Sequence, residues 1–271
     1  MSQVAPTRKP VADWLTVAAI AAIAISLNVA FHEGVHALTC IVVGGRLQAY
    51  SALYSSCDNS ILQGRIVAGS APTFNLVAGT LLWMILRHSQ SRSSEMRFFL
   101  WLLMLMNWFY GAGYFILSGV ASIGDWAVVF DGLQPDWLWR APMAIAGTAL
   151  FIVLIRLVLQ EFGKMIGGAA DEQIRHASRL CLVSYVTSFG VILLAGFFCP
   201  YGLLSLPVTA GTCAVLGALS PLLFMMRWFR TERFRKLAEG PLEIQRKWQW
   251  LAAAAVVVST YVFVLGRTLY F

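Results

Sequence analysis

At 271 residues the chain is 59% hydrophobic and only 12% charged, with a mean hydropathy of +0.71, which excludes an ordinary soluble domain. Its formal charge of +7 suggests nucleic acid at first sight, but the basic residues sort by membrane side and exclude that partner. Apolar runs of lipid-spanning length recur with short polar connections, so the expected class is an all-α, polytopic membrane protein with about seven transmembrane helices.

In chain order the spans are expected near 14–43, 67–86, 98–119, 141–159, 180–198, 205–226 and 248–266. With a cytoplasmic N-terminus, sixteen of the twenty Lys and Arg fall on the inner side, many of them in the loop from Arg227 to Lys247. Arg46, Arg65, Arg140 and Arg267 remain outside. This balance predicts an integral, multi-pass protein with its C-terminus outside, in a bacterial-type plasma membrane. The Arg227–Lys247 loop reads first as a topology signal and second as a contact for anionic headgroups. Residues 1–137 form the expected functional core, and 138–271 supply accessory helices of the same membrane domain.

The opening residues mimic a secretory signal, with Arg8-Lys9, an apolar run and a small-residue site at Asn28-Val29-Ala30. The run continues for about a dozen residues beyond that point, which favours an uncleaved first span. Within it lies Phe31-His32-Glu33-Gly34-Val35-His36. Positions i and i+4 share a helix face, so His32 and His36 can reach one tetrahedral metal ion. Glu33 is then placed to take a proton from the attacking water. The bland alternative is a pair of hydrogen-bonded core histidines. Three ionisable groups at lipid depth weigh against it, because they cost several kcal/mol unless something coordinates them. His32 lies about 27 Å along the helix from Trp14, in the outer part of the bilayer. Asn28, a turn earlier on the same stripe, is expected either to hydrogen-bond a ligand imidazole or to join helices.

Residues 44–65 mix polar and apolar positions around Cys57-Asp58-Asn59-Ser60 and read as an outer-face hairpin or a simple loop. A hairpin there would offer an edge strand to an unfolded substrate segment. Next, Gly69, Pro72 and Asn75 open the second span, with Pro72 expected in its first turn. Asn75 falls at a depth comparable to His32, where its amide is expected to position a substrate carbonyl or, alternatively, to bind another helix. The third span carries Asn107, Tyr110 and Tyr114, and its aromatic residues read as packing and interface anchors.

A His-His site lacks a third, anionic ligand, and the outer segment after the third span supplies candidates. Asp125, flanked by apolar residues and nearest the membrane, is preferred, with Asp131 as second choice. The five cysteines form no Cys-x-x-Cys; Cys57 and Cys199 share the outer face and are the expected pair if any forms. Cys40, Cys181 and Cys213 read as small core residues.

These residues resemble the site-2 protease family of intramembrane zinc metalloproteases. The likeness rests on His32-Glu33-x-x-His36, Gly44-Gly45 beyond it, and the Gly69, Pro72, Asn75 element, all in the first half of the chain. It implies zinc held by His32, His36 and an aspartate, Glu33 as general base, and a transmembrane segment of another protein as substrate. The family's third ligand usually sits in an Asp-Gly pair, which here is Asp131-Gly132, whereas the residue pattern favours Asp125. The competing class is a non-enzymatic membrane scaffold, chaperone or transporter that keeps the site for structure.

Overall fold

The structure, a computed structural model, describes residues 12–88, 92–166, 170–202, 204–225 and 242–271. Arg8, Lys9 and most of the Arg227–Lys247 loop, expected as topology signals, lie outside the described residues.

Helix α1 (Trp14–Val42) begins where Asp13 Oδ1 accepts hydrogen bonds from the Thr16 N–H at 2.9 Å and its hydroxyl at 2.8 Å. The same carboxylate pairs with Arg246 at 2.8 Å, and the Asp13 N–H donates to the Ile244 carbonyl. Beyond α1, strands β1 (Arg46–Tyr50) and β2 (Ser55–Asp58) form an antiparallel hairpin, Leu47 facing Cys57 and Tyr50 facing Ser55. A hairpin therefore forms here rather than a simple loop, but its turn is residues 51–54; the Cys57-Asp58-Asn59-Ser60 cluster expected as the turn instead ends β2 and caps the next helix. A third strand, β3 (Leu269–Tyr270), joins from the far end of the chain, giving the order β2-β1-β3.

Helix α2 (Ile61–Arg87) starts earlier than expected. Ser60 and Gln63 make a reciprocal capping box, so the helix opens at Ile61 rather than near 67. Pro72 consequently sits in the helix interior, where its missing N–H leaves the Ala68 carbonyl without its usual helical donor. Helix α3 (Ser94–Ala121) is the buried centre of the bundle and packs against α1 and α2. Its close approach to α2 depends on Gly111, where a Cβ would lie 2.9 Å from the Pro72 carbonyl oxygen.

Then follow α4 (Asp125–Val129), α5 (Trp137–Met165), α6 (Ala170–Phe197), α7 (Leu206–Leu219), α8 (Pro221–Phe224) and α9 (Trp248–Ser259), which ends in a π-helical turn over Thr260–Leu265. Helix α5 joins α3 through the Trp101–Phe162 ring stack at 4.0 Å. At its far end, buried Glu161 gathers Lys164, Arg87 and the Trp83 N–H, tying α5 to α2.

Six helices among the described residues are long and apolar enough to cross a membrane. The remaining expected span, 205–226, is two short helices, because Pro221 cannot donate back to Gly217 and ends α7. Tyr201 packs on Tyr54 beside the hairpin, and Ile244 lies at the opposite end of α1. Outward-facing Leu38, Val77, Leu81, Ile145 and Ile152 are exposed, as a lipid solvent requires.

Cys40, at the end of α1, forms a disulfide with Cys57 on β2, their Cα atoms 6.0 Å apart. The expected Cys57–Cys199 pairing is therefore not the one formed, because the hairpin folds back on α1; Cys199 is buried and free. Cys181 is a buried core residue, whereas Cys213 is exposed.

Candidate metal centre

One turn apart on α1, His32 and His36 are buried at 0% and 7% exposure, and Glu33 between them at 5%. Asp125, the first residue of α4, meets them from the end of α3. Its Oδ2 lies 3.3 Å from His32 Nε2 and 3.4 Å from His36 Nε2, and the three ligand atoms fall within 4.8 Å of one another. Asp131 does not join them. It is exposed, and its carbonyl accepts from Arg65 at 2.6 Å.

The turn between α3 and α4 delivers this carboxylate. Ser122 ends α3 in the left-handed region, the Ser118 hydroxyl donates to the Ile123 carbonyl at 2.9 Å, and Gly124 turns the chain at φ +89°. Only glycine fits there, since a Cβ would meet the Tyr114 ring at 2.9 Å. Trp126 then stacks on Phe115 at 4.7 Å, and Gly69 of α2 admits Trp126 and Val129, so α4 is wedged in place.

The far nitrogens of both imidazoles are already committed. His32 Nδ1 bonds Asn75 Oδ1 at 2.6 Å, and His36 Nδ1 bonds the Val67 carbonyl at 2.8 Å. Both partners are acceptors, so each Nδ1 carries a proton, and in the neutral ring each Nε2 presents a lone pair toward Asp125. His32 Nε2 and Asp125 Oδ2 are both buried without a hydrogen-bond partner. Two imidazole lone pairs and a carboxylate oxygen aimed at one point are the donor set of a divalent cation such as zinc, so the residues fit that ion.

Asn75 is fully buried behind His32 and is not on the cavity wall. Its Nδ2 donates to Asn107 Oδ1 at 2.9 Å, and Asn107 Nδ2 donates to the Leu103 carbonyl at 2.9 Å. This chain fixes both amides and, through them, the His32 ring. Asn28, the other residue considered for such a role, is buried with its Oδ1 unpartnered. Two aromatic rings complete the enclosure of His32: Tyr114 stacks on it at 5.4 Å and Tyr110 meets it edge-on at 4.5 Å. The sequence offered Tyr110 and Tyr114 as packing groups and assigned Asn107 no role. Only the amide at lipid depth carried a signal that more was at stake.

In front of the histidines opens a cavity of about 410 Å³ whose walls include Glu33, His36, Asp125, Tyr114, Ser55 and Cys57. Strand β2 is thus one wall. The Tyr50 hydroxyl, donating to the Ala30 carbonyl at 2.9 Å, and the Cys40–Cys57 bridge hold the hairpin against α1. No family model, curated protein or solved structure matches this chain.

Proposed function

We propose that the chain is an intramembrane metalloendopeptidase that hydrolyses a peptide bond in or near a transmembrane segment of another membrane protein. The observation that carries this reading is the convergence of His32, His36 and Asp125 on one point, with Glu33 on the wall of the same cavity. The resemblance of His32-Glu33-x-x-His36 to the site-2 protease family points the same way.

In this reading His32, His36 and Asp125 hold zinc, which when bound supplies Lewis acidity that polarises a carbonyl and makes water a better nucleophile at neutral pH. Glu33 accepts the proton of the attacking water and returns it to the leaving amine. Asn75 and Asn107 keep the His32 ring aligned, so that the attack geometry does not drift. A substrate helix hides its carbonyls in its own hydrogen bonds and must unwind before it reacts. Strand β2, at the sheet edge with Ser55 and Cys57 on the cavity wall, offers main-chain groups to hold the unwound stretch.

The test uses purified wild type and Glu33→Gln, each assayed for bound zinc and for cleavage of a synthetic transmembrane peptide. Wild type is expected to bind zinc and cut. Glu33→Gln is expected to keep the zinc and lose about 10²–10⁴-fold in rate. Equal cleavage by both defeats the role given to Glu33 and with it the proposal, and no cleavage by either while zinc is retained leaves a non-enzymatic zinc scaffold.

A further inference from the structure

We infer that a second cavity of about 290 Å³, between α3 and α7, is a specificity subsite that takes one large apolar side chain of the substrate, of leucine or phenylalanine size, beside the bond that is cut. This rests on the peptidase reading above and goes beyond it by assigning the residues that choose the sequence. Tyr114, Leu117 and Ala214 line this cavity and the 410 Å³ cavity alike, so the two spaces adjoin. A peptide lying past Glu33 and Asp125 can therefore send one side chain into the smaller space. The rest of the wall is apolar or small, with Ile116 and Phe151 on one side and no ionisable group other than Tyr and Cys.

The glycines of this cavity differ from those elsewhere in α3. At Gly111 and Gly119 a Cβ would lie within 3.0 Å of a neighbouring backbone, so glycine there serves close helix packing. At Gly217 a Cβ would meet nothing within 4 Å, and at Gly113 only the Ala218 Cβ at 4.0 Å. Helix packing does not call for glycine at these positions. Gly217 is exposed and Gly113 half-buried, so the space they leave open faces outward as well as adjoining the cavity of the candidate metal centre. The occupant we assign is a substrate side chain rather than a lipid chain because the space shares Tyr114, Leu117 and Ala214 with the cavity that holds Glu33, His36 and Asp125.

Purified full-length protein loaded with zinc is given transmembrane peptides that carry Ala, Leu or Phe in turn at each position flanking the bond wild type cuts. At one position wild type should cut the Leu or Phe peptide about tenfold faster than the Ala peptide or better. A Cβ at Gly217 meets no atom within 4 Å, so Gly217→Leu adds its side chain at the wall of this space, and it should bring the Leu and Phe peptides down to the Ala rate while the Ala peptide stays within about twofold of wild type. Maleimide on Cys213, which lines this cavity and is exposed while Cys181 and Cys199 are buried, should act as Gly217→Leu does. Uniform slowing of all three peptides, or unchanged rates for all, overturns the subsite. So does a co-purifying phospholipid that Gly217→Leu expels without altering the preference, which marks an acyl-chain site. Wild type that cuts but shows no side-chain preference defeats the subsite alone, whereas wild type that cuts no peptide defeats the peptidase reading as well.

Discussion

His32 Nε2 and Asp125 Oδ2 face each other across 3.3 Å, buried, with no hydrogen-bond donor to satisfy either. An acceptor opposed to an acceptor is unfavourable at this range, and a cation between them removes the conflict. Asp125→Ala is therefore expected to lose zinc by more than the roughly 10–100-fold that follows from disturbing an outer partner. Asp131→Ala, altering an exposed side chain, should bind zinc as wild type does. Metal content after dialysis against a graded chelator reads both. The opposite ranking moves the third ligand to Asp131.

The amide chain behind His32 makes a separate prediction. Asn75→Ala removes the acceptor for His32 Nδ1, and Asn107→Ala removes the group that orients that acceptor. Both should weaken metal binding by about 10–100-fold, Asn107→Ala less than Asn75→Ala. With cobalt substituted for zinc, the visible absorption bands should shift in both variants. Unaltered bands and affinity in Asn107→Ala would show that the second amide does not act through the first.

The Cys40–Cys57 bridge closes a loop of 17 residues, which in the chain-entropy view contributes about 3 kcal/mol. Alkylation under denaturing, non-reducing conditions should modify three cysteines, and five after reduction. Cys40→Ser with Cys57→Ser should lower the melting temperature and expose the hairpin to protease. A bridge of this kind persists in an oxidising compartment, so finding it in protein taken from the native membrane tests the outward placement expected for the hairpin.

At the other end of α1, the hydrogen bond from Arg246 is the main cause that holds the Asp13 carboxyl down, to about 2 from an ordinary 3.8. A folded-state value below the unfolded one means that this pair stabilises the fold fully above about pH 4. The contribution fades as pH falls from there through about 2. Thermal melts of wild type and Asp13→Asn should differ at pH 6 and converge toward pH 2. A constant gap across that range would show that Arg246 contributes through packing alone.

How much of this was legible in the chain varies with the range of the interaction. His32, Glu33 and His36 could be read because a helix fixes which side chains share a face within a turn. Asp125 could be read as the acid with the most apolar neighbours at the right side of the bundle, but the choice over Asp131 needed the turn at Gly124 and its fit against Tyr114. The start of α2 was present in Ser60 and Gln63, though the polar surroundings masked the capping box. Asn75 was found at the right depth, but its partner was not, because depth does not reveal which way a helix is rotated. The Cys40–Cys57 bridge and the pairing of β3 with β1 were invisible for a stronger reason. Each joins segments through the folded arrangement of others, with nothing local to announce it.

The supports of the two imidazoles are an amide and a backbone carbonyl, and this sets the charge balance of the whole centre. A divalent ion held there would sum to zero with the carboxylates of Asp125 and Glu33, and neutral supports would leave that sum untouched. A core at lipid depth can tolerate such electroneutrality where a surplus charge would be expelled or neutralised. Asn75→Asp, though nearly identical in shape, should therefore do more harm than its size suggests, because it adds the one unit that nothing nearby cancels.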